Sequence, residues 1–207
     1  MMPESALSAH IARELERVGH VVVADFLEKA TIVALAGECR LLDADTRLDR
    51  ASVGRARNRH VDASVRGDRT HWLDPGGLID AEAHYWRRMH SLRSSLNRTL
   101  LLGLLDLESH YALFAPGTRY ARHRDRFRSD DARVLSSVLY LNPGWLPASG
   151  GQLRLYLGAG AQAAHVDVFP DAGTLVLFLS AEFEHEVLPA TRDRLSIAGW
   201  MRQASIA

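Results

Sequence analysis

His123 and Asp125 lie two residues apart in "RYARHRDRF", His185 follows in "EFEHEVLPATRDR", and Arg194 comes nine residues after that histidine. Two imidazoles and one carboxylate suit a non-haem Fe(II) centre, because they leave coordination positions open for a chelating co-substrate and for O2. The arginine adds a planar cation of the kind that grips one end of a dicarboxylate. A His-x-Asp triplet by itself carries little weight here. The ten histidines of the chain produce three of them, at His60/Asp62, His123/Asp125 and His165/Asp167.

The choice among the three depends on the elements that position them. Residues two apart on a strand point to the same side, so each triplet could reach one ion. The first half of the chain reads as mostly helical. Leu7, Ile11, Leu15 and Val18 fall at helical spacing before Gly19, which is placed to stop the helix. "HVVVADF" reads as a short strand, residues 28 to 43 as a second helix, and "AEAHYWRRMHSLRSSLNRTLLLG" as a third. The arginine-rich stretch from Asp45 to Arg69 reads as strands joined by a mobile loop. After Gly103 the segments become short and rich in β-branched and aromatic residues, with Pro-Gly and Gly-Gly between them. Helices first and strands afterwards predict an α+β fold, a jelly-roll core braced by N-terminal helices.

In that frame His60/Asp62 belongs to the arginine-rich loop, where a ligand would be poorly fixed. His165/Asp167 is expected on a connection between core strands, with only twenty residues left before His185. His123/Asp125 precedes four strand-like segments and His185 precedes the last strand, which lets the chain cross the sheet and return to the same mouth. On that last strand Arg194, Ser196, Ala198 and Trp200 share one parity, and Leu195, Ile197 and Met201 the other. An arginine directed into an apolar barrel needs an anion. Tyr140, ending "VLSSVLY", can offer a phenol to the same anion.

Composition narrows the function classes. A chain of 207 residues suits a single domain. Lys+Arg and Asp+Glu both number 25, so no global basic field recruits nucleic acid or an acidic membrane. No apolar run approaches the roughly 20 residues of a membrane span. The single Cys39 excludes an internal disulfide and reads as helix packing. With no apolar stretch of the signal-peptide kind near the start, a reducing cytoplasm is the expected compartment. "HRD" at 123–125 echoes a kinase catalytic loop, but position 130 is Asp130 where that loop needs asparagine.

The block "YARHRD", "RVLSSVLYLN", "GGQLRLY", "GTLVLFLS", "HEVLPATRDR" and "GW", preceded by "VRGDRTHWLDP", resembles 2-oxoglutarate and Fe(II)-dependent dioxygenases of the prolyl 4-hydroxylase type. Within them it is most like the hypoxia-sensing prolyl hydroxylases and their bacterial relatives. The resemblance implies a double-stranded β-helix core over 104–203, supported by 1–103 with its mobile loop at 45–69. It implies His123, Asp125 and His185 as iron ligands, with Arg194 and Tyr140 on the distal carboxylate of 2-oxoglutarate. Tyr120, Leu153, Val187 and Trp200 would line the co-substrate pocket. Asp68 and Arg133 match a charged pair that tethers the mobile loop, and Trp72 matches an aromatic at the mouth. Where those enzymes carry a tyrosine before the Pro-Gly turn, this chain has Phe114 or Leu113.

The implied reaction consumes O2 and 2-oxoglutarate, releases succinate and CO2, and hydroxylates a prolyl residue of a protein or peptide, with ascorbate as reductant. The same oxidative chemistry on another residue or a small metabolite is the alternative, and a non-catalytic jelly-roll binding module is a third reading. Arg55, Arg57 and Arg59 in the loop predict a partner that is acidic near the target site. Neither nucleic acid nor membrane is expected among the partners.

Overall fold

The computed structural model describes residues 3–52, 60–125, 132–160 and 162–204. Helix α1 (Glu4–Val18) buries Leu7, Ile11 and Leu15, one turn apart, and ends where Gly19 turns left-handed at φ 76°. A Cβ on that glycine would come within 2.9 Å of the Phe183 ring, so close packing adds to the backbone requirement. Helix α2 spans Lys29–Ala44 and α3 spans Asp80–Leu100. Along α3, Tyr85, Met89, Leu92 and Leu96 form the inward stripe that the helical period predicts. Among the described residues no helix is long and apolar enough to cross a membrane.

The strands are β1 (His20–Val23), β2 (Asp49–Arg50), β3 (Asp68–Trp72), β4 (Asp106–Phe114), β5 (Tyr120–His123), β6 (Arg133–Tyr140), β7 (Leu153–Tyr156), β8 (His165–Val168), β9 (Leu175–Leu179), β10 (Glu184–Val187) and β11 (Arg194–Arg202). They form a seven-stranded sheet in the order β1-β9-β6-β11-β4-β3-β2 and a four-stranded sheet in the order β5-β10-β7-β8. All named pairings are antiparallel. The architecture is the expected double-stranded β-helix, or jelly roll, braced by helices.

Side-chain alternation divides the core in two. Leu107, Tyr111 and Leu113 of β4 join Leu195, Ile197 and Met201 of β11 in a cluster with the helices. Ala112 and Phe114 of β4 face the other way, joining Leu153 and Leu155 of β7, Val187 of β10 and Phe178 of β9 between the sheets. The large sheet is thus apolar on both faces, and the inner face is where polar side chains stand out.

Two expectations change. Residues 165–168 are strand β8, paired to β7 over Leu153↔Val168 to Tyr156↔His165, and not a connection. His165 and Asp167 lie exposed on this edge strand, with Asp167 paired to Arg154 at 2.8 Å. The tip of the arginine-rich loop, including Arg55, Arg57 and Arg59, lies outside the described residues. Its return is described: Arg66 bridges to Tyr120, and the Ala121 N–H donates to the Val65 carbonyl, so this stretch covers the free edge of β5.

Candidate metal centre

Antiparallel pairing of β10 with β5 sets His185 directly opposite His123, with ring centroids 4.2 Å apart. Asp125, two residues past His123 and beyond the end of β5, turns between them. Its Oδ1 lies 3.6 Å from His123 Nε2 and its Oδ2 3.6 Å from His185 Nε2. One donor atom from each of the three falls within 4.8 Å of the others, the only such grouping of His, Cys, Asp and Glu among the described residues.

The ring tautomers follow from what lies behind each imidazole. His123 Nδ1 is 2.8 Å from the Ala121 carbonyl and His185 Nδ1 is 3.4 Å from the Phe183 carbonyl. A carbonyl only accepts, so each Nδ1 carries the proton and each Nε2 presents its lone pair to the shared space. Burial pushes the His185 imidazole down to about 4. For Asp125, burial acts upward, but the facing imidazoles and a hydrogen bond from Ser136 outweigh it and hold the carboxyl well below the usual range. An ionised carboxylate and a His185 ring that resists protonation suit metal binding. Glu184 and Glu186, which flank His185, are engaged elsewhere, with Arg122 and with the Tyr156 hydroxyl.

A cavity of about 560 Å³ opens from the three residues into the space between the sheets. At its deep end Arg194, 2% exposed, donates from Nε to the Gly151 carbonyl at 2.8 Å. That approach is close because residue 151 is glycine at φ +71°, where a Cβ would meet Trp145 and Ala190 at 3.0 Å. Arg194 Nη2 and the hydroxyl of Tyr140 are both buried without a partner among the described residues. The guanidinium lies 5.0 Å from the Tyr140 ring centroid and 5.3 Å from that of Phe114. Burial pushes the Tyr140 phenol up to about 12 and the Arg194 guanidinium down. Two orphaned donors beside a buried cation fit an anion, and a carboxylate satisfies both. Phe114 is the residue on this wall, while Leu113 faces the helices.

Of the predicted site residues, His123, Asp125, His185, Arg194, Tyr120, Leu153, Val187, Trp200, Asp68, Trp72 and Arg133 all line this cavity. Tyr140 lies just beneath it, fully buried beside Arg194. Tyr120 stacks on His123 at 3.6 Å, and Leu153 pairs across the small sheet with Val187. Trp72, 47% exposed, stands at the mouth against His110.

The expected pair of Asp68 with Arg133 does not form. Arg66, two residues away on the same stretch, takes both Asp68 oxygens at 2.7 and 2.9 Å, a fork that leaves the buried carboxylate satisfied. Arg133 turns instead to Glu108 at 3.0 Å and lies 3.5 Å over the Trp200 ring.

Three residues on the wall were not anticipated. Arg66 sits 4.8 Å over the Tyr120 ring, carrying the loop's return against the residue that stacks on His123. His110 is buried against Trp200, and burial pushes it down to about 3. Its Nε2 is 3.5 Å from Arg66 Nη2, which can only donate, so the proton belongs on Nδ1, where it has no partner among the described residues. Alternation along "SHYALF" would have placed His110 beside Ala112 and Phe114 on the inner face. Alternation along "SSVLY" likewise puts Ser136 on the face of Val138 and Tyr140, but nothing in the sequence ties it to Asp125.

Residues 109–202 match the family model described as the 2OG-Fe(II) oxygenase superfamily. The chain is 30% identical over 202 residues to human (Homo sapiens) Egl nine homolog 1, covering 90% of this chain and 44% of that protein. It therefore spans about half the length of the curated relatives it matches. A crystal structure of a Pseudomonas putida prolyl-4-hydroxylase superposes with TM-score 0.85 at 46% identity, covering 95% of this chain and 99% of that one. A Trichoplax adhaerens prolyl hydroxylase, in complex with a peptide fragment of the hypoxia inducible factor oxygen degradation domain, gives TM-score 0.85 at 26% identity, covering 97% and 90%.

Proposed function

The chain belongs to the 2OG-Fe(II) oxygenase superfamily, and from that premise we propose that it is a prolyl 4-hydroxylase acting on a protein or peptide. His123, Asp125 and His185 would hold Fe(II), and Arg194 with Tyr140 would hold the distal carboxylate of 2-oxoglutarate. When bound, the two supply the oxidising chemistry, which consumes O2 and releases succinate and CO2.

The observation that carries the reading is one cavity with two unlike ends: three converging ligand atoms at one, and the unpartnered Arg194 Nη2 and Tyr140 hydroxyl at the other. The chain's own residues perform three tasks. The Nδ1–H bonds to Ala121 and Phe183 orient both Nε2 atoms. Arg194 selects a ligand with a carboxylate at its far end, while Leu153, Val187 and Phe178 keep water from the space between. Trp72, His110 and Trp200 form the aromatic mouth through which a substrate residue would pass. Ascorbate would serve as reductant, the cytoplasm as compartment, and 1–207 as one domain with its core at 104–203. The arginines of the 45–69 loop favour a substrate with acidic residues near its target proline.

The test is incubation of the purified chain with Fe(II), 2-oxoglutarate, ascorbate and proline-containing polypeptides under air. The expected result is a hydroxyproline mass shift that tracks succinate. Turnover confined to free proline or another small molecule would replace the protein-substrate part with the metabolite alternative. Absence of the visible charge-transfer band on adding Fe(II) and 2-oxoglutarate without O2 would refute the oxygenase assignment.

A further inference from the structure

Asp125 differs from the two histidines in how it is held. His123 and His185 stand on paired strands, whereas Asp125 lies past the end of β5, where no ladder bond fixes it. Its anchor is a side chain on another strand. Ser136 Oγ, on β6, donates to Asp125 Oδ2 at 2.6 Å, and the Ser180 hydroxyl stands 2.9 Å behind Ser136 Oγ. Ser136 is 2% exposed and Ser180 is fully buried.

The direction of the protons follows from the donor inventory. An ionised carboxylate only accepts, so the single hydroxyl proton of Ser136 goes to Asp125. Ser136 Oγ is then left as an acceptor, and the contact between the serines is satisfied only if Ser180 donates. The spacing is set by backbone: the Ser180 N–H donates to the Val134 carbonyl at 2.9 Å, and Leu135 pairs with Leu179 one step away. Packing alone gives no reason for two hydroxyls here. Ser136 is flanked in register by Phe178 and Trp200, and alanine would fill the same place without desolvating a polar group.

We infer that Ser180 and Ser136 form a one-way hydroxyl relay that positions Asp125 by engaging its Oδ2. Both serines are positioning residues, and the inference rests on the metal reading above. Holding one oxygen disfavours a carboxylate that swings to chelate with both, which would use up a coordination position the reaction needs open.

Mn(II) binding to the full chain, followed by the loss of the free-ion paramagnetic resonance signal, tests this without turnover. Ser136→Ala should weaken Mn(II) binding by about 10- to 100-fold, the usual effect of removing a partner behind a ligand. Ser180→Ala, which leaves Asp125 its donor, should cost about threefold to tenfold, the worth of one neutral hydrogen bond. Ser136→Thr retains the hydroxyl and should stay within about threefold of wild type. Should Ser136→Ala fail to fold, Ser180→Ala and Ser136→Thr decide the matter. Wild-type affinity in Ser180→Ala, or a loss in Ser136→Thr as large as that in Ser136→Ala, overturns the relay. A wild-type chain that takes up no Mn(II) overturns the metal reading instead.

Discussion

Replacing Arg194 with methionine should separate ligand binding from folding, because only the first should change strongly. The guanidinium is buried, bonded once to Gly151, and leaves Nη2 with no partner among the described residues. A carboxylate seated there gains a charge-assisted bond from Nη2 and one from the Tyr140 hydroxyl. Truncating one partner of such a buried pair costs about 2–5 kcal/mol, so 2-oxoglutarate should bind roughly 30- to several-thousand-fold more weakly. In the ligand-free chain the same cation is a burden. Methionine gives up the bond to Gly151, worth about 1.5–3 kcal/mol, but relieves a desolvated charge. Exchanging buried ionic groups for apolar ones is often neutral or stabilising by about 1–4 kcal/mol. The expected change in ligand-free stability is therefore within about 2 kcal/mol of zero. Calorimetric titration of 2-oxoglutarate into the Mn(II)-loaded chain reads the first quantity, and urea unfolding of the metal-free chain the second. Binding within about threefold of wild type would refute the assignment. A ligand-free stability loss well beyond 3 kcal/mol would show that the arginine serves the fold.

Tyr140→Phe removes a hydroxyl that has no partner, so unfolding should be unchanged within about 1 kcal/mol, while 2-oxoglutarate affinity falls by about 10- to 150-fold; an unaltered affinity in the same titration would exclude the phenol from the site. His123→Ala should abolish the anaerobic charge-transfer band, whereas His165→Ala, on the exposed edge strand β8, should leave it intact; the reverse result in the absorption spectra would reassign the ligands. Burial pushes the His110 imidazole down to about 3. Below pH 6.5 the unfolded chain therefore takes up a proton that the folded chain refuses, and stability falls as pH drops through that window. His110→Met should make the loss shallower by about 1.4 kcal/mol per pH unit between about pH 6 and pH 4. The loss will not vanish, since His185 is also pushed down, to about 4. Urea midpoints at several pH values measure the slope, and an unchanged slope would show that His110 does not refuse the proton.

How much of this could be read beforehand follows from the range of each signal. Helical spacing in α1 and α3 and the two parities of β11 are local, and both survive as buried stripes. The placement of Arg194 on the inner face follows from parity alone. Grouping His123 with His185 required a longer inference, that the two bracket a run of strands, and the His185↔His123 register brings them face to face. What was illegible depends on contacts between segments far apart in sequence. Ser136 reaches Asp125 across eleven residues and Ser180 across forty-four, with nothing in the intervening chain to mark either. Asp68 differs in kind: Arg133 matches the family's charged pair by position, but the nearer Arg66 offers a two-pronged fit, and a buried carboxylate takes the donor that satisfies both oxygens. β8 reads as a connection in the sequence because four residues with polar His165 and Asp167 carry a weak strand signal.

Charge balance ties the two ends of the cavity together. Most charges on the described wall pair off internally, Arg66 with Asp68 and Arg133 with Glu108. The buried groups left over are the Asp125 carboxylate at one end and the Arg194 guanidinium at the other. Away from water an uncompensated charge is costly, so beside these two buried groups binding is favoured when the net charge stays near zero. A divalent cation alone leaves the site doubly positive, and a dicarboxylate alone leaves it doubly negative. A divalent cation, one carboxylate, one guanidinium and a dicarboxylate dianion sum to zero. The wall thus favours joint occupancy over either ligand alone, and it does so through two residues contributed by different parts of the fold. A monocarboxylate chelator would leave a net positive charge beside Arg194. The preference for a ligand with carboxylates at both ends therefore comes from the two buried charges as well as from the shape of one pocket.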